Sequence, residues 1–233
     1  MLELFPQGFE EVDVPDGVEL VAYTDAGGEE RLWQAFGGAR SDEVGEGWEQ
    51  RWRDFHRPAR VGPLWLGPPW LEPPTDAIGV VIEPGRAFGT GSHATTRLCL
   101  ELLLELERGS LLDIGCGSGV LAIAAARLGF APVLALDSDS AAVEATRSNA
   151  VANGIELEVV LGDALTDPLP NVDVAVANMT LELVRTLAPR LRARLLVASG
   201  FLAGTRPDPS GYRLLRRAEA EGWAAEVFSR ETE

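Results

Sequence analysis

The sequence predicts an α/β protein: a doubly wound, mostly parallel sheet of seven strands that ends in an antiparallel hairpin, preceded by a small α+β module. Three observations carry this reading. From residue 97 onward, short β-branched apolar runs alternate with helical patterns, the signature of parallel strands buried between helices. Near the end the rhythm breaks, because two apolar runs flank Glu221-Gly222 directly and Pro207 and Pro209 favour a loop after Phe201. Between Pro58 and Pro74 six prolines interrupt any longer regular element and separate the amino-terminal residues from the rest.

Residues 1–56 mix an apolar run at Val18–Tyr23 with a helical pattern at Glu29–Phe36, which suits a small α+β module for substrate recognition. Residues 57–76, with Pro58, Pro63, Pro68, Pro69, Pro73 and Pro74, read as a stiff linker. Trp33, Trp48, Trp52, Trp65 and Trp70 lie in or just before this passage, where they either form a partner surface or pack the module onto the main domain. Residues 77–233 hold the sheet domain. Its elements are expected as helix 97–108, strand 111–115, helix 119–129, strand 133–137, helix 140–153 and strand 157–161. Strand 172–177, helix 180–191, strand 195–201 and the hairpin strands 212–219 and 223–228 complete it.

The chain has 233 residues, enough for one main core and a smaller appendage. No apolar run reaches the roughly 18 residues of a membrane span, and the first residues lack the pattern of a secretory signal. Cys99 and Cys116 stand apart from each other without metal-type spacing, which fits small core residues in a reducing, cytoplasmic compartment. The formal charge of −16 opposes direct binding to nucleic-acid backbones and leaves two readings, plain solubility or attraction of a basic substrate. All 20 basic residues are arginines.

The chemistry concentrates in Leu111–Leu121, a strand that runs through Asp113-Ile114-Gly115-Cys116-Gly117-Ser118-Gly119 into an Ala-rich helix. Glycines allow positive φ and a close backbone approach to a ligand at the carboxyl end of a sheet. A dinucleotide fingerprint, G-x-G-x-x-G, would place its third glycine at position 120, which is Val120. Asp137 ends the second strand of the sheet, 22 residues after Gly115, where a carboxylate can accept both hydroxyls of a ribose. Asp163, after the third strand, either accepts from an adenine amino group or closes a turn. Asn178 ends the fourth strand, and its amide offers a donor and an acceptor for positioning a nucleophile; the alternative is an N-cap for the next helix.

The G-x-G-x-G spacing, with Asp113 two residues ahead, resembles the first motif of the S-adenosylmethionine-dependent methyltransferases. That resemblance makes Asp113, Gly115, Gly117 and Gly119 candidate cofactor residues in a Rossmann-like sheet. Upstream, Phe88-Gly89-Thr90-Gly91-Ser92-His93-Ala94-Thr95-Thr96 precedes this motif, and Val176-Ala177-Asn178 follows at the fourth strand. Together they resemble the PrmA family, which methylates amino groups of large-subunit ribosomal protein L11. The resemblance covers about residues 48–202 and implies cofactor contacts at Thr96, Gly115, Asp137 and Asn178. Asn178 is the expected catalytic residue. The chain departs from the family pattern in a shorter amino-terminal domain, in Asn178-Met179-Thr180-Leu181 where Asn-Ile-Leu-Ala is usual, and in a missing helix before the final hairpin.

The expected activity is therefore methyl transfer from S-adenosylmethionine to lysine or amino-terminal amines of a ribosomal protein. Two alternatives are an enzyme for another acceptor, such as an electron-transfer flavoprotein subunit or a small molecule, and a cofactor-binding protein without transfer. Base methylation of nucleic acid fits less well, since Met179-Thr180 stands where a Pro-Pro-aromatic motif would be needed. His93 either collects the proton of the amine or shapes its loop through hydrogen bonds.

Overall fold

The computed structural model describes residues 10–14, 17–21, 26–38, 57–84 and 91–231. The chain divides into two compact units, Met1–Phe55 and His56–Glu233. In the first, β1 (Glu10–Val14) pairs antiparallel with β2 (Gly17–Val21), and α1 (Ala26–Phe36) follows. Trp33 and Phe36 of α1 are exposed. Trp48 and Trp52 lie outside the described residues.

The second unit opens with three strands, β3 (Ala59–Val61) and β4 (Leu64–Gly67) in residues expected as a linker and β5 (Ile78–Val81) just beyond them. β3 runs antiparallel and β5 parallel to the central β4. The prolines stand between these strands and not within them. Pro63 sits in the tight turn from β3 to β4, and Pro68, Pro69, Pro73 and Pro74 fill the connection from β4 to β5. Elements of three or four residues fit between such breakers, and what holds them is burial. Val61, Leu64, Leu66, Val80 and Ile82 belong to the same hydrophobic cluster as the helices of the main sheet, and Trp65 is buried as well.

The main domain matches the expected rhythm. Helix α2 (Ala94–Leu104) leads to β6 (Leu111–Ile114), α3 (Val120–Arg127), β7 (Val133–Asp137), α4 (Ser140–Ala152) and β8 (Glu158–Leu161). Then come β9 (Asn171–Asn178), α5 (Leu181–Leu187), a 3-10 turn at Ala188–Arg190, β10 (Arg192–Leu202), β11 (Tyr212–Ala220) and β12 (Trp223–Arg230). The seven strands lie in the order β11-β12-β10-β9-β6-β7-β8. β6 through β10 are mutually parallel, whereas β12 runs antiparallel to both β10 and β11. Helices α2 to α4 cover one face, α5 the other, and each face has its own apolar cluster. Between Leu202 and Tyr212 the chain forms turns and loop only, as Pro207 and Pro209 suggest.

Strand order reverses between β6 and β9, since β6 continues to β7 on one side while β9 continues to β10 on the other. Open α/β sheets bind ligands at such a switch point, outside the carboxyl ends of the strands. Gly115 and Asn178 are the residues that leave β6 and end β9 there.

Because β4 is part of the core, Leu66→Ala should cost about 2–5 kcal/mol of unfolding free energy, read from denaturant melts. A loss below about 0.5 kcal/mol, typical of exposed linker positions, would contradict this packing.

Candidate cofactor and transfer site

Gly115, Gly117 and Gly119 all have positive φ, at 70°, 55° and 80°. The turn they make is tied from beneath: the N–H groups of Gly115 and Cys116 both donate to the Leu136 carbonyl at 2.8 and 3.1 Å, and Gly117 N–H donates to Asp137 Oδ2 at 2.9 Å. From α4, Thr146 Oγ1 donates to the Gly117 carbonyl at 3.0 Å and Asn149 Nδ2 to the Ser118 carbonyl at 2.8 Å. A Cβ on Gly119 would lie 2.7 Å from Thr146 Cγ2, so the turn has no room for a side chain on that side. Gly115 itself is exposed and opens onto a cavity of about 150 Å³.

That cavity is lined by Gly115, Asp137, Gly162, Asp163, Met179 and Leu183 among others, so two of the candidate carboxylates meet the glycine turn in one space. Asp137 accepts one bond on each oxygen, from Gly117 N–H and, at 3.0 Å, from Asp139 N–H. A carboxylate has about four acceptor sites, which leaves two for the hydroxyl pair of a ribose. Asp139 is the N-cap of α4, accepting from Ala141 N–H at 2.9 Å. Asp163 lines the cavity and also closes a turn, its Oδ1 accepting from Leu165 N–H at 2.9 Å. Leu136, Leu183 and Leu187 supply an apolar wall suited to a flat ring. These features fit S-adenosylmethionine: a glycine cradle, a carboxylate with spare acceptors and an apolar slot.

Asp113 stands elsewhere. It is 1% exposed, lies beneath the turn and accepts from Ala122 N–H at 3.0 Å, anchoring the first turn of α3 rather than lining the cavity. Burial pushes its carboxyl up to about 7, against the lowering effect of the Ala122 bond and with a smaller upward push from Asp137.

Thr96 and Asn178 come together from α2 and β9, with Asn178 Nδ2 donating to Thr96 Oγ1 at 3.4 Å. The N-cap of α5 is Thr180, so Asn178 does not cap that helix. His93 is the N-cap of α2: its Nδ1 lies 2.8 Å from Thr95 Oγ1 and accepts from Thr95 N–H at 3.4 Å. Burial, and next the Arg97 charge, hold the His93 ring below its ordinary value, with Glu221 pulling the other way. The His93 ring meets the Trp223 ring edge-on at 5.1 Å, and Arg97 pairs with Glu221, so the tip of the β11–β12 hairpin sits on the start of α2. Residues 85–90 of the upstream loop lie outside the described residues.

Sequence reasoning missed Asn149 and Asn153. Both are buried, four residues apart, Asn149 within α4 and Asn153 as its C-cap. Asn153 accepts from Val81 N–H at 2.9 Å and its amide donates to the Val81 carbonyl, while Asn149 accepts from Glu83 N–H at 3.0 Å. They fasten the end of β5 and, through Ser118, the glycine turn to one helix. The signal available was a pair of amides at i,i+4 on the buried stripe of a helix.

The raised pKa of Asp113 gives a pH dependence with a definite sign. The folded carboxyl holds its proton above the unfolded value of about 3.9. Its stabilising contribution is therefore full below about pH 4 and is lost as pH rises through 7. Asp113→Asn should remove a slope of at most about 1.4 kcal/mol per pH unit in that window. Denaturant melts at pH 5 and pH 8 that shift equally in both proteins would contradict it.

Comparison with known proteins agrees with this geometry. The family model described as ribosomal protein L11 methyltransferase (PrmA) matches residues 22–206. The chain is 40% identical over 199 residues to a ribosomal protein L11 methyltransferase of Legionella pneumophila, covering 78% of this chain and 68% of that one. It is 43% identical to one of an Enterobacter species, covering 67% and 57%. Among solved structures, a ribosomal protein L11 methylase of Lactobacillus delbrueckii superposes with a TM-score of 0.66 at 27% identity, covering 76% of this chain and all of that one. The chain thus belongs to the ribosomal protein L11 methyltransferase (PrmA) family of S-adenosylmethionine-dependent methyltransferases.

Proposed function

We propose that this chain methylates amino groups of ribosomal protein L11 in the cytoplasm, binding its cofactor through the glycine turn, Asp137 and Asp163 and aligning the amine with Asn178. The observation that carries this reading is that Gly115, Asp137 and Asp163 line one cavity at the β6/β9 switch point, while the Asn178–Thr96 pair stands at the end of β9, next in the chain to Met179, which lines that cavity. Among the described residues no helix is long and apolar enough to cross a membrane, and none of their acidic, His or Cys side chains cluster as a metal site.

S-adenosylmethionine supplies a methyl group on a sulfonium, open to in-line attack by an amine lone pair. The chain's task is alignment and exclusion of water. Gly115, Gly117 and Gly119 bring backbone close to the cofactor, Asp137 takes its ribose and Asp163 its adenine amino group, while Thr96 acts through Asn178. Asp113 serves from below, by holding α3 and the turn in register. With Nδ2 of Asn178 engaged by Thr96, its Oδ1 is the atom left to accept an N–H of the incoming amine. That amine has to be neutral, and deprotonating a lysine at pH 7 costs about 4–5 kcal/mol. Desolvation near Met179, which lines the cavity, lowers this cost by disfavouring the ammonium. His93, with Nδ1 occupied by Thr95, shapes the α2 entry and leaves the proton to solvent.

Incubation with labelled S-adenosylmethionine should transfer label into ribosomal protein L11. A lysate lacking this protein, labelled on some other acceptor and never on L11, would redirect the assignment. Asp137→Ala should lose cofactor affinity, since each hydroxyl bond to a carboxylate contributes about 1.5–3 kcal/mol; unchanged affinity by calorimetry removes Asp137 from the site. Asn178→Ala should lower turnover at least about tenfold through lost alignment while cofactor affinity falls less than in Asp137→Ala. Equal turnover in variant and parent would exclude Asn178 from transfer.

A further inference from the structure

The segment that carries Asn178 leaves β9 against a bulge in its neighbour. Ser199 of β10 pairs with Asn178 in the parallel register, and its carbonyl accepts from Met179 N–H at 2.9 Å. On the other side Ser199 is fully buried, with Oγ donating to the Ala224 carbonyl of β12 at 2.8 Å. The β10–β12 register then shifts between Ser199 and Phe201, which makes Gly200 the extra residue. Gly200 has φ of +98°. A Cβ there would stand 2.7 Å from the Met179 carbonyl carbon, 2.9 Å from its nitrogen, and closer still to its oxygen. All three are backbone atoms, so rotation of a side chain cannot relieve the contact.

We infer that Gly200 is a positioning residue for methyl transfer: its missing side chain lets the Asn178–Met179 backbone seat against the bulge and so sets the Asn178 amide against Thr96. The inference rests on the proposed role of Asn178. Ser199 is fastened to strands on both sides, so it cannot yield. The displacement falls on Met179, the residue next to Asn178. Asp137 and Asp163 lie on other strands and loops and keep their places.

The test compares Gly200→Ala with Asn178→Ala and with Gly129→Ala in the full chain, using ribosomal protein L11 as acceptor. Gly129 has φ of +94° and open space around a Cβ, so its alanine variant carries the same backbone strain without the clash. Gly200→Ala should lose turnover at least about tenfold, because a shift near 1 Å costs about a hundredfold, with cofactor affinity falling less than turnover, since Met179 borders the cavity but Asp137 and Asp163 keep their places. Gly129→Ala should melt earlier and keep its turnover. Should Gly200→Ala fail to fold, Ser199→Ala loosens the same platform by one hydrogen bond and should lose about threefold in turnover with cofactor affinity unchanged. Normal turnover in a folded Gly200→Ala (or, where that does not fold, in Ser199→Ala) beside a defective Asn178→Ala overturns the inference and leaves the proposed function standing. Equal losses in Gly200→Ala and Gly129→Ala, or cofactor affinity lost in step with turnover, also overturn it. Full turnover in Asn178→Ala overturns the role of Asn178 and the inference with it.

Discussion

The turn after β6 has to pass through three left-handed residues in five positions, and most of the surrounding structure holds it there. Left-handed backbone is tolerated by glycine at little steric cost, but glycine also loses the most entropy on ordering. The chain offsets that with bonds to fixed partners: the Leu136 carbonyl and Asp137 carboxylate below, Thr146 and Asn149 from α4, and Asp113 on the first turn of α3. The same carboxylate of Asp137 that accepts from Gly117 borders the cavity. The geometry of the turn and the lining of the cavity are thus coupled in one side chain.

This coupling extends outward through α4. Asn153 completes the hydrogen bonding of Val81 at the end of β5, and Asn149 holds Glu83 and Ser118 together. A small sheet built from residues 59–81 is thereby joined to the glycine turn by buried amides as well as by apolar packing. Buried amides cost desolvation unless their bonds are made, and here each finds backbone partners. The pair therefore selects one register between β5 and α4.

Periodicity made the main sheet legible because its strands are buried on both faces and read as unbroken apolar runs, as in Val174–Ala177. The glycine turn was legible because positive φ leaves few residue choices, and Asp137 because the strand length sets its distance from Gly115. The strands at Ala59–Val61 and Leu64–Gly67 are not legible as core, since proline density hides the spans of three and four residues that fit between the prolines. Asp113 was expected among the cofactor residues by its place in the motif. Its position in the alternation of β6 turns the side chain beneath the turn, to the Ala122 N–H. Asn149 and Asn153 escaped notice because their partners come from Val81, Glu83 and Ser118, remote in sequence, and only the folded chain shows them together.

The closing hairpin shows how polar chemistry can finish a sheet edge that lacks a helix. Loop 203–211 follows β10 directly, and beneath it Glu226 of β12 is 1% exposed. Arg217 of β11 and Arg206 of the loop both pair with that carboxylate, and Arg217 also donates to the Ala203 and Thr205 carbonyls. A buried pair of this kind adds little net stability against an apolar alternative, but losing one partner is expensive. Its effect is specificity: the loop has one seating on the strands, the one in which its carbonyls meet Arg217. From that seating follow the bond from Ala203 N–H to the Gly222 carbonyl and the place of the hairpin tip, where Glu221 and Trp223 meet Arg97 and His93 at the entry of α2. An ion cluster at the sheet edge therefore helps to set the ring and charge that meet the first residues of α2, although neither Glu226 nor Arg217 lines the cavity.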